Sequence, residues 1–218
     1  MTESHQHGDN STKTTEHFWE DFYQEREQVW SGSPNVLLVR EIDSVPAGSV
    51  LDLGCAEGAD AIWLAERGWR VTAVDVSTTA LARAKAHAAR KALTGAIDWQ
   101  QHNLDESFPA GQFDLVTAQF LHSPVAQADQ RARILRRAAD AVAAGGLLLI
   151  VGHAGWPTWL LTPPIEAHFP STAEVLADLN LDPTQWHVEL EELIERDFPS
   201  PEGEPGTRKD NILRIRRH

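Results

Sequence analysis

Short apolar runs of strand length alternate with stretches of helical periodicity along most of this sequence. VLDL at Val50–Leu53, a second run after Gly68 that delivers Asp75 to its end, IDWQQHN at Ile97–Asn103, FDLVTAQF at Phe113–Phe120 and LLLIVGH at Leu147–His153 read as strands. The fourth and fifth are apolar almost throughout, as in a strand buried on both faces. Between them lie helical segments. The first is short and closes at Gly68; the second, TTALARAKAHAARKAL, is capped by Ser77 and stopped by Gly95; the third runs from about Gln127 to Ala144 and is ended by Gly145 and Gly146. Two helices are predicted before the first strand. One carries Phe18, Trp19, Phe22 and Tyr23 as an aromatic face for packing or for covering a pocket, and the other turns Leu38, Ile42 and Val45 inward after the WSGSPN turn.

The pattern changes after His153. Ala154–Ser171 is rich in Pro and Trp and too apolar for an ordinary solvent loop, so it is expected to fold over something. A short helix capped by Ser171 or Thr172 follows, with Val175, Leu176 and Leu179 on one side. WHVELEELIERDF, with Val188, Leu190 and Leu193 read as one face, and ILRIRRH then make an antiparallel hairpin. The expectation is a doubly wound, mostly parallel α/β sheet in a single domain over 16–218, with a disordered tail over 1–15 that has no apolar residue after Met1.

Composition narrows the partner. With 19 Lys plus Arg against 32 Asp plus Glu, the formal charge of -13 argues against tracking nucleic-acid phosphates and for a small or uncharged ligand. One cysteine, Cys55, excludes an internal disulfide, and no Cys/His cluster has structural zinc spacing. His5 and His7 could touch a metal, but on a polar tail they have no preorganised site. No apolar run approaches the ~20 residues of a membrane span. A cytoplasmic protein, monomer or homodimer, without membrane or nucleic-acid partners is expected.

The candidate chemistry centres on Val50–Val76. A glycine turn through Gly54 and Gly58 between two parallel strands, with Asp75 closing the second, places backbone and carboxylate at one sheet edge, where Asp75 can accept from ribose hydroxyls. Asp52 just before the turn, and Glu57 within it, would repel a dinucleotide pyrophosphate. A phosphate-free adenosine cofactor with a cationic amine and sulfonium suits them better, and S-adenosyl-L-methionine has that character.

VLDLGCAEGADAIWLAERGWRVTAVDVS, FDLVTAQFLH and AAGGLLLIVG together resemble a class I S-adenosylmethionine-dependent methyltransferase. The N-terminal helices and WSGSPN look most like the small-molecule group that includes the tellurite-resistance and thiopurine methyltransferases. The resemblance implies a Rossmann-like seven-stranded sheet and methyl transfer to a small-molecule acceptor such as a thiol, a chalcogen or another soft nucleophile. It implies that Gly54, with Cys55, Ala56 and Gly58, forms the cofactor turn, and that Asp52 lies near the methionine amine. Asp75 would bind the ribose, Val76 an adenine face, Asn103 and Leu104 the adenine amino edge, and Gln119 the methionine part. Ala56 stands where the family more often has glycine, and would fit at negative φ. Cys55 reads as a small buried residue and His122 as a group that could orient or deprotonate the acceptor, with a plain loop position as its alternative. Trp30, His153 and Trp156 are candidates for the acceptor wall. An NAD(P)- or flavin-dependent oxidoreductase and a non-catalytic S-adenosylmethionine-binding protein are the competing readings.

Overall fold

The computed structural model describes residues 14–163 and 167–218. Its centre is one seven-stranded sheet in the order β3-β2-β1-β4-β5-β7-β6. The strands are β1 (Ser49–Leu53), β2 (Arg70–Asp75), β3 (Ile97–Gln101), β4 (Phe113–Gln119), β5 (Val142–His153), β6 (Trp186–Asp197) and β7 (Thr207–Arg217). β1 to β5 pair in parallel, whereas β7 enters antiparallel between β5 and β6. The doubly wound sheet and the terminal hairpin read from the sequence are both present.

Two apolar layers bury the sheet. Helices α2 (Val36–Ile42), α3 (Ala59–Glu66) and α4 (Thr78–Arg90) cover one face through Leu38, Ile42, Leu64, Leu81 and Ala88. On the other face α5 (Gln130–Asp140) and α6 (Thr172–Leu179) contribute Leu135, Ala138, Val175 and Leu179. At about 25 cal/mol per Å² of apolar area removed from water, these layers are the main stabilising term. The expected caps form. Ser77 accepts from Ala80 N at the start of α4, and Ser171 makes a reciprocal capping box with Glu174 on α6.

Four sequence expectations need correction. The first helix, α1 (Thr15–Gln24), starts inside the segment read as tail, because the Thr14 side chain caps it by accepting from His17 N. The remainder of that tail, with His5 and His7, lies outside the described residues. Helix α5 ends at Asp140, not near Ala144, and Gly145 and Gly146 belong to β5 instead of stopping a helix. Pairing of Val142 with Phe113 outweighs the helical propensity of the alanines, and the register shifts between Phe113 and Leu115. A Cβ on Gly146 would meet the Ala143 carbonyl oxygen at 2.9 Å and that of Phe113 at 3.0 Å, so the glycine fits this irregular strand start. In β6 the register shifts between Val188 and Leu190. Leu190 and Ile194 pack on the core, and Leu193 is 58% exposed, so it does not share their face.

Candidate functional site

The parallel strands end together, and the chain reverses there through the turn after β1 and the loops after β2, β4 and β5. These ends border an open cavity of about 700 Å³. Asp52, Gly54, Cys55, Ala56, Gly58, Asp75, Val76, Asn103, Leu104, Gln119, His122, His153 and Trp30 all line it. Trp156 does not. Its ring meets Phe169 edge-on at 5.4 Å, so the acceptor-wall expectation is not met there.

The turn is held in one shape by Asp75. Its carboxylate accepts from Ala56 N and from Ser77 N, each at 2.9 Å, while Gly54 N and Cys55 N both donate to the Val74 carbonyl at 2.9 Å. Gly58 sits at φ 86°, and a Cβ there would lie 2.7 Å from the Trp99 ring and 2.9 Å from the Ala84 methyl. Glycine is therefore required both for the backbone and for the close approach of α4 and β3. Ala56 corrects the sequence reading: its φ is +50°, not negative. A left-handed alanine costs on the order of 1 kcal/mol, and the bond from its N–H to Asp75 holds it there.

Carboxylates dominate this end. Asp52 is 2% exposed, and its Oδ2 has no hydrogen-bond partner. Burial, reinforced by Asp60 and Asp75, pushes its pKa well up. Burial likewise lifts Asp60 to about 6, although it accepts from Asn35 N at 2.6 Å, and it raises Asp75 against the bonds from Ser77 and Ala56. Cys55 is buried and its thiol is pushed up by burial and by Asp75, which makes it a poor nucleophile. Glu57 differs from its expected role. It is 4% exposed, with Oε1 on Arg83 at 2.9 Å and Oε2 accepting from Trp30 N at 3.1 Å, so it anchors the segment before α2 and is neutralised.

Helix α1 closes one wall. Thr15, Trp19 and Tyr23 line the cavity, and Tyr23 accepts at its hydroxyl from Trp30 Nε1 at 3.2 Å. Glu20 fastens the helix to the N-terminus of α4. Its carboxylate accepts from Ser77 Oγ at 2.7 Å, Thr78 Oγ1 at 3.0 Å and Thr79 Oγ1 at 2.6 Å. Burial would raise its pKa, but these donors outweigh burial and bring it down to about 2.

The opposite end is basic. Arg131 from α5, Arg196 from β6 and Arg208 from β7 line it with Phe120, Phe198, His122 and His153. His153 donates from Nδ1 to Asp210 at 2.9 Å and stacks on Phe120 at 4.2 Å; His122 donates from Nδ1 to the Phe120 carbonyl. Burial lowers the pKa of both imidazoles, and Arg131 and Arg208 lower that of His122 further. Both are neutral near pH 7. Asp210, Arg131, Arg196, Arg208 and Phe198 were not among the residues singled out from sequence. The only local hint was the alternation of apolar and basic positions along the last strand.

The four buried side-chain polar atoms without a hydrogen-bond partner among the described residues belong to Asp52, Gln119, Ser123 and Arg208. All four residues line this one cavity. Buried polar atoms are rarely left unpaired, so their collection in one place points to a cavity shaped for a polar ligand. No group of three or more His, Cys, Asp or Glu side chains with metal-holding geometry is found among the described residues. No helix of the described residues is long and apolar enough to cross a membrane.

Comparisons with known proteins agree with this geometry. Residues 50–146 match the family model described as "Methyltransferase domain". A 2-heptyl-1-hydroxyquinolin-4(1H)-one methyltransferase of Mycobacteroides abscessus is 42% identical over 67 residues, 30% of this chain and 30% of that protein. A ribosomal RNA small subunit methyltransferase C of Pseudomonas paraeruginosa is 32% identical over 139 residues, 62% of this chain and 40% of that protein. The matches thus span less than half the length of these curated relatives. TehB from Haemophilus influenzae superposes with a TM-score of 0.68 at 16% identity, over 91% of this chain and 67% of that one. The strand order with its inserted antiparallel β7 and the family match agree: residues 50–146 match a methyltransferase domain, and the chain has the fold of class I methyltransferases such as TehB.

Proposed function

We propose that this chain transfers a methyl group from S-adenosylmethionine to a small-molecule acceptor bound at the basic end of the cavity. The observation that carries the reading is the unpartnered, buried Asp52 carboxylate beside the glycine turn. A buried anion without a partner is costly, and a ligand ammonium placed there would offset that cost. Asp52 and the backbone at Gly54 would hold the methionine end, with the Gln119 Oε1 acceptor beside it. Asp75 would hold the ribose hydroxyls, while Val76, Asn103 and Leu104 would flank the adenine. The bound cofactor supplies an electrophilic methyl on a sulfonium. The protein's own contribution is to align the acceptor, exclude water with α1 and Trp30, and take up a proton where the acceptor releases one. His122 and the Asp210-oriented His153, both neutral near pH 7, are the groups able to do so.

A small acceptor is favoured over RNA by the formal charge of -13 and by helix α1, whose Thr15, Trp19 and Tyr23 wall one side of the cavity. The resemblance to a quinolone methyltransferase points the same way, whereas the match to an rRNA methyltransferase makes RNA the second reading. Titration of tryptophan fluorescence with S-adenosylhomocysteine and separately with NADH tests the cofactor. Saturation by the homocysteine derivative alone is expected, and saturation by NADH alone would sink the proposal. Incubation with labelled donor, a panel of thiols and phenols, and rRNA fragments tests the acceptor; label in RNA and in no small molecule would transfer the reading to the rRNA class.

A further inference from the structure

We propose that the acceptor carries a carboxylate, held by Arg208 and Arg131 where α5 and the β6–β7 hairpin line the cavity. The inference rests on the methyl-transfer reading and names the substrate class for that site. Arg196 and Arg208 are directly opposed partners in the register of β6 and β7. Both guanidinium groups lie over the one Phe198 ring, their Cζ atoms 5.3 and 5.4 Å from its centroid. Like charges opposed across a strand pair are destabilising, and a ring face offsets only part of that.

The local anion is already committed. Asp210, fully buried, takes Arg196 Nε on one oxygen and His153 Nδ1 on the other. Arg208 forms no ion pair among the described residues, and its Nε is buried without a hydrogen-bond partner. Arg131 donates Nε to the Leu121 carbonyl at 3.0 Å and likewise has no ion pair among the described residues. Three arginines therefore line this part of the cavity, where Asp210 is committed to Arg196 and His153 and Asp178 acts on Arg131 without an ion-pair contact, and both neighbouring imidazoles are neutral near pH 7. Guanidinium forks match a carboxylate in shape as well as charge. Phe120 and Phe198 line the cavity beside them, an apolar setting that strengthens such a pairing.

The test uses the full chain saturated with S-adenosylhomocysteine, with affinity read by calorimetry. The probes are 4-mercaptobenzoate, its neutral isostere 4-mercaptobenzamide, and inorganic phosphate. The acid is expected to bind at least tenfold tighter than the amide and tighter than phosphate. Arg208→Gln and Arg131→Gln should each cut the acid's advantage to about threefold or less while leaving S-adenosylhomocysteine affinity unchanged, which also shows that the variants fold. Equal binding of acid and amide, binding of neither, or an advantage that survives both substitutions overturns the inference; phosphate binding tighter than either probe reassigns the arginines to a free oxyanion and overturns it too. Failure of S-adenosylhomocysteine to bind would refute the cofactor reading separately, because the acid and amide can be compared on the protein alone.

Discussion

The two ends of the cavity have opposite charge and opposite origins. One end gathers Asp52, Asp60 and Asp75 within 24 residues of sequence, around a single strand-turn-helix-strand unit. The other brings Arg131, Arg196 and Arg208 together from α5, β6 and β7. Each end leaves a buried polar atom unpaired, on Asp52 and on Arg208. A ligand pair with a cationic head at one end and an anionic group at the other would complete both. On the proposed reading the acidic end would take the donor and the basic end the acceptor, which would separate cofactor from specificity along one cavity.

The largest effect is expected from Asp52→Asn. Removing one partner of a buried charge pair costs about 3 kcal/mol or more, so S-adenosylhomocysteine should bind correspondingly more weakly while adenosine, which has no ammonium, is unaffected. Equal loss for both ligands in calorimetry would break the assignment of the acidic end to the amine. Asp75→Ala should weaken both ligands by about 1–3 kcal/mol, since both carry the ribose and the turn loses the acceptor for Ala56 N.

Proton uptake sharpens the contrast. Asp60, at about 6, is partly protonated in the free protein below neutrality, and burial favours the protonated form of Asp52 as well. Binding a cation requires them ionised, so binding between pH 5 and 6 should release protons, and affinity should fall as pH drops below about 6. Calorimetry in two buffers of different ionisation enthalpy reads this directly; the absence of a buffer dependence would count against it. For the free protein the sign is reversed: a raised carboxylate pKa gives stability that is complete below about 3.8 and is lost as pH rises through about 6.

Smaller changes concern the wall between the ends. The depressed pKa of Glu20 keeps its bonds to α4 intact at neutral pH, and they should be lost as pH falls from about 4.5 towards about 2. Glu20→Gln should speed amide exchange in α1 at pH 7 without altering exchange in the β4 and β5 core. Ala56→Gly should stabilise the chain by at most about 1 kcal/mol, because relief of the left-handed alanine is partly cancelled by the greater freedom of unfolded glycine. A thermal midpoint lowered by the substitution would show that the alanine methyl contributes packing that outweighs its strain.

Much of the acidic end was legible because it is local. The spacing of Asp52, Gly54, Gly58 and Asp75 follows from one βαβ unit, whose geometry brings its glycine turn and its last carboxylate to the same edge whatever surrounds them. The order of alternating strands and helices was readable for the same reason, since apolar periodicity records which face of each element is buried. The boundary of α5 was not, because the alanines before Gly145 favour a helix until the pairing of Val142 with Phe113 competes with it.

What the sequence by itself determined, then, was the parallel α/β sheet, the terminal hairpin and the position of the glycine turn, all set by short-range pattern. Only the tertiary structure decided that Ala56 is left-handed, that Glu57 is turned into the wall against Arg83, and that Trp156 points elsewhere. It alone decided the basic end. Arg131 lies 65 residues before Arg196 in the chain, and they meet at one cavity because β7 inserts between β5 and β6, a long-range register that no local spacing encodes.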